Sequence, residues 1–205
     1  MTTREKIIYE SLKLFSVNGY DAVSTRMIAR AAEISDTAMY KHFKSKQEIF
    51  DTIIGICKER FVTEQQKIDI HNMCWDEVEN ICLGMYRFQT QDEWIVMFRQ
   101  LLVVEQFKNP DMAAIYKTFF IDTPVDGMVQ IFTELMQEGY MRKCNPRVLA
   151  MELYAPFFMF HTLRSDSEEL LADLREHVSY FRMNTRRTKE DGLCNCKQKG
   201  SQTKS

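Results

Sequence analysis

Asp36, Thr37, Met39, Lys41 and His42 fall within about two helical turns, directly after Ser35, whose hydroxyl can cap a helix by accepting from its free first-turn amides. Short polar and basic side chains spaced in this way, presented outward from one short helix, suit the donor and acceptor pattern of a major groove. Thr37, Lys41 and His42 are candidates for base edges or for the phosphates beside them. Asp36 has two readings, acceptance from cytosine N4 or service to the positive end of its own helix. Thr25 and Arg26, just behind a second cap at Ser24, stand where phosphate contacts are made. Lys46 follows a third cap, Ser45, at a helix start whose amides and dipole favour an anion, and is read as a phosphate contact.

Such side chains need two short helices crossing closely and steeply. Ile28, Ala29 and Ala32 supply a small, branched apolar face on the first helix, and Ile34 and Ala38 answer from the turn and the second helix. Around this core, Arg4, Ile8, Leu12 and Phe15 share a preceding helix, followed by Gly19-Tyr20 and, further on, by Tyr40, Phe43, Lys46 and Ile49. Over residues 4–50, about a quarter of the chain, this spacing resembles the DNA-binding domain of tetracycline-repressor-like (TetR/AcrR) transcriptional regulators. Phe43 is read as packing the three-helix core, and the resemblance implies that the Tyr40 hydroxyl helps place a phosphate. One departure stands out: Glu33 sits where the family has glycine at the turn. A left-handed backbone there tolerates glutamate less well than glycine, so a slightly altered turn within an intact fold is expected.

The 205 residues suffice for one small and one larger domain, and 45% apolar with 27% charged residues is ordinary for a globular protein. No run approaches the roughly 18 apolar residues of a membrane span, and the N-terminus reads as a charged amphipathic helix and not as a secretory signal. The cysteines at 57, 74, 82, 144, 194 and 196 are scattered, mostly within helical apolar patterns, and read as reduced core thiols of a cytoplasmic protein. Residues 1–46 hold eight Lys/Arg and five Asp/Glu, a net +3; residues 47–183 hold 13 and 22, a net −9; residues 184–205 hold six and two, a net +4. A basic head on an acidic body suits a protein that sets one end on DNA.

Apolar spacings of three and four dominate and turn-bounded alternation is absent, so the fold class expected is all-α. Helices are expected over about 3–18, 25–32, 36–43, 46–68, 74–89, 92–107, 110–120, 124–138, 146–163 and 166–183. Thr2 with Glu5, Ser45 with Glu48 and Ser165 with Glu168 have capping-box spacing. Thr123-Pro124 and Asn145-Pro146 pair a cap with a first-turn proline, and Gly19 and Gly139 read as helix stops. The expected domains are a helix-turn-helix head over 1–46, a helical effector-binding and dimerisation body over 47–183, and a basic disordered tail over 184–205.

The body carries apolar stripes at Trp75, Val78, Ile81, Cys82 and Met85, at Trp94, Met97, Phe98, Leu101 and Leu102, and at Met128, Phe132, Leu135 and Met136. Stripes of this kind pack against each other as core; the resemblance adds that family members enclose a small-molecule site in this region. The candidate pocket residues are Met85, Gln89, Trp94, Phe98, Arg99, Met128, Phe132, Tyr154, Phe157 and His161, with Glu105 a further polar group that could orient a ligand. The stripe of Leu149, Leu153, Phe157 and Phe160 and that of Leu170, Leu174, Val178 and Phe181 are read as a dimer interface forming a four-helix bundle across a two-fold axis. Pro156 is expected to kink its helix unless neighbours re-satisfy the freed carbonyl. Two heads are required in any case, because they must reach successive major grooves about 34–36 Å apart.

The expected function is that of a ligand-responsive regulator: a homodimeric repressor released from a palindromic operator by a small, largely apolar effector. A helical interaction protein explains the body but not the capped head, and an activator of the same fold needs a polymerase contact that the sequence does not display. No G-x-S-x-G, H-E-x-x-H, G-x-x-x-x-G-K-[ST] or G-x-G-x-x-G motif occurs, so neither catalysis nor a cofactor is expected. Cys194-x-Cys196 has no partner at metal-ligand spacing, so no metal site is expected.

Overall fold

The computed structural model describes residues 1–69, 75–161 and 167–187. Ten α-helices follow one another: α1 (Thr3–Asn18), α2 (Thr25–Ala31), α3 (Asp36–His42), α4 (Lys46–Gln65), α5 (Trp75–Gln91), α6 (Glu93–Glu105), α7 (Pro110–Lys117), α8 (Thr123–Gln137), α9 (Pro146–Phe160) and α10 (Glu168–Thr185). A π-helical turn, Thr118–Asp122, joins α7 to α8. There is no strand among the described residues; a single bridge pairs Met141 with Arg186.

Local chemistry explains most boundaries. Thr2 and Glu5 form the reciprocal capping box expected of them. Ser24, Ser35 and Ser45 each accept from the amide three residues on. Glu48 completes only half of its box, because its carboxylate takes the Lys44 amide and not that of Ser45. Asn145 accepts from the Arg147 and Val148 amides ahead of Pro146. Thr123, in contrast, is no cap: the π turn runs straight into α8, so Thr123 is already helical and the preceding Asp122 makes no capping bond. Ser165 lies outside the described residues, and Ser167 caps α10 through the Leu170 amide. The helix α9 continues through Pro156. The last helix reaches Thr185, whose side chain is buried, so 184–187 belong to the fold and not to a tail; the remainder of that tail, with Cys194 and Cys196, lies outside the described residues, as does Cys74.

Two apolar cores result. The first joins α1–α4 to α6, running from Ile8, Phe15 and Met39 through Ile53 and Phe61 to Phe98, Leu102 and Phe120. The second is built by α5, α8, α9 and α10 around Val78, Phe132, Leu153 and Leu174. The core of the head therefore does not stop at residue 46; α6 packs on α1 and extends it. Cys57 and Cys82 are buried in these cores, and burial pushes both thiols up to about 12. Cys144 is exposed, against the expectation of a core thiol.

Glu33 holds the turn between α2 and α3 at φ 57°. The fold tolerates the departure from glycine, and the Glu33 carboxylate reaches the Lys6 ammonium on α1. Relief of left-handed strain outweighs the loss of one exposed ion pair. Glu33→Gly is accordingly expected to raise the Tm by roughly 2 °C, read by thermal unfolding; an unchanged or lower Tm would show that the Lys6 contact outweighs the strain.

Candidate DNA-reading head and effector cavity

Helix α3 has two sides. Met39 and Phe43, four residues apart, point into the core and are each 1% exposed. The expectation of an outward Met39 is thus corrected: it shares its helix face with Phe43, and that face is the one the head must bury. Asp36, Thr37, Tyr40, Lys41 and His42 remain exposed on the other side. Ser35 is occupied as the cap of α3. The Tyr40 hydroxyl lies 3.4 Å from Thr25 Oγ1, so one hydroxyl from α3 and one from the first turn of α2 form a pair at the head's surface. Arg26 Nε stands 3.5 Å from Asp36 Oδ2, both exposed; this pairs α2 with α3 and occupies the Asp36 carboxylate.

Lys46 is more constrained than its sequence position indicates. Its ammonium donates to the carbonyl oxygens of Tyr20 at 2.8 Å and Val23 at 3.0 Å, and it lies 4.2 Å from the centre of the Tyr20 ring. It pins the α1–α2 loop to the start of α4 and retains one N–H. The same loop is gripped from the body. Glu105, at the end of α6 and 3% exposed, accepts the Tyr20 amide at 3.0 Å. Gly19 turns there at φ 82°, and a Cβ on it would lie 2.6 Å from Glu105 Oε1. The other end of α6 is tied as well: Tyr9 donates to Glu93 at 2.7 Å, Arg60 of α4 donates to Asp92 at 2.6 Å, and the Arg60 guanidinium covers Trp94 at 5.4 Å.

The body holds a partly open cavity of about 70 Å³ between α4, α5, α8 and α9. Six of the ten expected residues line it: Met85, Gln89, Met128, Tyr154, Phe157 and His161. Arg99 stands behind this wall, close to Tyr86, Tyr154 and His161. Three expectations fail. Trp94 packs on Tyr9 and Arg60 at the head side of α6. Phe98 packs on Phe119 and Phe120. Phe132 stacks on Phe181 at 5.6 Å. An apolar stripe says that a helix face is buried but not which neighbour buries it. Tyr86, Ile81 and Ile131 line the cavity and went unnamed as pocket residues; the position of Tyr86 one residue past Met85 was the available signal.

The proposed interface residues are also reassigned. Leu149, Leu153, Leu170, Leu174, Val178 and Phe181 are buried by their own chain, and Phe160 is packed against the same core. They leave almost no surface for a partner, and Leu153 faces the cavity. The strongest stripes lie in the chain's own core because α9 and α10 pack on each other and on α8 and α5. The exposed apolar residues of these two helices are Val148, Met151, Met159, Tyr180 and Met183.

Polar groups at the inner end of the cavity are set by burial. His161 stacks on Tyr86 at 5.3 Å with their planes 7° apart, and Tyr154 meets it edge-on. Burial, then the neighbouring Arg99 charge, lowers its pKa to about 3, so it is neutral. Tyr154 donates to the carbonyl of Phe120 at 2.9 Å, and burial raises its own pKa.

Two expected outcomes follow from this geometry. Lys46→Met orphans two carbonyls and should cost about 1–3 kcal/mol in urea unfolding; a loss within error would make Lys46 a solvated lysine. For His161 the folded pKa lies below the unfolded one, so the unfolded chain takes up a proton that the folded cavity refuses. The stability it contributes is complete above pH 6.5 and is lost as pH falls toward 3. His161→Phe should flatten the dependence of unfolding free energy on pH between 6.5 and 4 by up to about 1.4 kcal/mol per unit; an unchanged slope would place the proton uptake elsewhere.

Comparison with known proteins agrees with the geometry. Residues 7–53 match the family model described as bacterial regulatory proteins, tetR family. The regulator TcmR of Streptomyces glaucescens is 37% identical over 60 residues, which are 29% of this chain and 26% of TcmR. The chain thus spans only about a quarter to somewhat over a third of the length of the first curated relatives it matches. Among solved structures, a TetR-family transcriptional regulator from Mesorhizobium loti superposes with a TM-score of 0.71 at 17% identity, covering 90% of this chain and 97% of that one. SmeT, the repressor of a Stenotrophomonas maltophilia multidrug efflux pump, in complex with triclosan superposes with a TM-score of 0.68 at 19% identity, covering 91% and 93%. These likenesses establish the shared all-α fold. Over residues 7–53 the chain is similar to the tetR family of bacterial regulatory proteins.

Proposed function

We propose that the protein is a ligand-responsive DNA-binding regulator: a homodimeric repressor that leaves a palindromic operator when a small amphipathic molecule enters the body. The observation that carries this reading is the two-sided α3, whose Met39–Phe43 face is locked in the core while Thr37, Tyr40, Lys41 and His42 stay exposed. Thr37, Lys41 and His42 then meet base edges or adjacent phosphates. Thr25, Tyr40 and the spare N–H of Lys46 hold the backbone. Arg26 takes a phosphate by leaving Asp36.

SmeT bound to triclosan supports an effector role for the cavity by likeness of fold alone. The reading of a dimer rests on groove spacing and on the exposed apolar residues of α9 and α10, with Val148, Met151, Met159, Tyr180 and Met183 replacing the stripes now found in the core. Occlusion of a promoter needs only binding, which favours repressor over activator. A regulator of this kind works in the cytoplasm; among the described residues no helix is long and apolar enough to cross a membrane.

The test is fluorescence anisotropy with the intergenic DNA beside the protein's own gene, titrated in salt against a scrambled duplex. Tight, selective binding at physiological salt is expected; weak and equal binding to both duplexes would favour a helical interaction protein. Tyr40→Ala with Lys46→Ala should weaken both duplexes alike and reduce the slope of log K against log salt by about 2 for a dimer, one lysine contact per protomer. A slope that does not move would remove Lys46 from the phosphate contacts.

A further inference from the structure

Polar atoms in the cavity wall and just behind it lack partners. Gln89 Oε1, Arg99 Nη1 and both ring nitrogens of His161 are buried with no hydrogen-bond partner among the described residues. Buried polar atoms in folded proteins are overwhelmingly paired, so a cluster of orphans at one place points to a missing partner. Arg99 is the most exacting member. A guanidinium keeps its charge in any folded protein, and no carboxylate lies within ion-pairing distance of this one among the described residues. Its near neighbours are the hydroxyls of Tyr116, Tyr154 and Tyr86, which burial keeps protonated in the first two cases.

The remaining walls are apolar and partly flat. The parallel Tyr86–His161 pair lines it, with Phe157 edge-on to Tyr86, and Met85, Met128 and Ile131 complete the apolar lining. Methionines adapt to a flat ring system at little cost. A cation would be repelled by Arg99, and a neutral hydrocarbon would fill the space while leaving every orphan unpaired.

Resting on the reading of this cavity as the effector site, we propose that its ligand is an amphipathic aromatic anion. One carboxylate or sulfonate group accepts from Arg99 and from a ring N–H of His161, and a donor on the ligand serves Gln89 Oε1. Arg99 stands behind the lining, and its unbranched stem allows the guanidinium to turn toward an anion at the His161 end. Neutral His161 suits this role: it donates from one nitrogen and accepts at the other.

The test uses a matched pair of fluorescent probes on the full chain: 1-anilinonaphthalene-8-sulfonate and its uncharged counterpart N-phenyl-1-naphthylamine, which share one ring system and one N–H. Wild type should bind both saturably, one per protomer, with the sulfonate tighter by about tenfold or more. Arg99→Met should erase that preference while leaving the uncharged probe within about twofold, which also shows that the variant is folded; Arg99→Lys should restore part of it. Equal affinities in wild type, or a preference that survives Arg99→Met, would overturn the proposal. Gly127→Trp locates the site, because Gly127 lines the cavity and a Cβ there meets nothing within 4 Å. Loss of both probes in that variant supports the assignment to this cavity. Saturable binding by neither probe in wild type, or undiminished binding in Gly127→Trp, would instead overturn the effector-site reading itself.

Discussion

The structure depends on how α6 holds the head. A buried carboxyl group at its end, Glu105, accepts the Tyr20 amide, and the chain can come that close only because residue 19 has no Cβ. At its start, Glu93 takes the Tyr9 hydroxyl and the Asp92 cap takes Arg60. Between these ends, Ile95, Phe98, Leu101 and Leu102 are buried in the same core as Ile8, Leu12 and Phe15. A three-helix head of about 45 residues has little apolar volume of its own. By lending it α6, the body supplies part of its core, and the head's orientation becomes a property of the body.

That sharing gives the cavity a physical route to the head. Tyr154 lines the cavity and donates to the carbonyl of Phe120 in the π turn. Phe120 belongs to the first core, meets Phe61 of α4 edge to ring and packs on Phe98 of α6 with the rings tilted. Arg99 sits on α6 itself, one residue past Phe98. A group that draws Arg99 or Tyr154 therefore acts on side chains whose neighbours are already part of the head's packing. Close-packed interiors move between discrete arrangements and do not deform smoothly. The π turn is the local irregularity in this path, of a kind often found at functional positions in helical proteins.

Legibility in the sequence divides along the same lines. The head was readable because its signals are local: Ser24, Ser35 and Ser45 each cap a helix within three residues, and Gly19 and Glu33 each turn the chain where they stand. Met39 is not placed by its own helix, because seven residues offer too few positions to define a face from within; its direction follows from Phe43 four residues on. Six cavity residues were found, since Gln89, Tyr154 and His161 are polar interruptions in apolar helices. Trp94, Phe98 and Phe132 were not separable from them, because a helix's period identifies its buried side without naming the neighbour. The stripes of α9 and α10 misled for the opposite reason: the richer stripe serves the protomer's own core, and the sparser one, with Val148, Met151, Tyr180 and Met183, is left at the surface. Nothing local in the sequence announces that Glu105 reaches back 85 residues to Tyr20.

Orphaned polar atoms in the cavity and a shared core in the head are two halves of one thermodynamic argument. A ligand shifts a conformational balance only by the difference in its affinity for the two shapes, and a ligand indifferent to shape shifts nothing. Apolar contact with Met85 or Met128 is a poor discriminator, because a methionine follows its partner as the wall moves. A fixed charge is a good one: the energy of an ion pair in a water-poor pocket falls steeply with misalignment, and the unpaired state leaves the guanidinium partly desolvated without compensation. On the proposed reading of the cavity, Arg99 on α6, the helix that grips Gly19, Tyr20 and Tyr9, is therefore the group whose satisfaction most directly depends on where that helix lies, and the apolar walls would set how tightly a ligand is held without deciding which shape it selects.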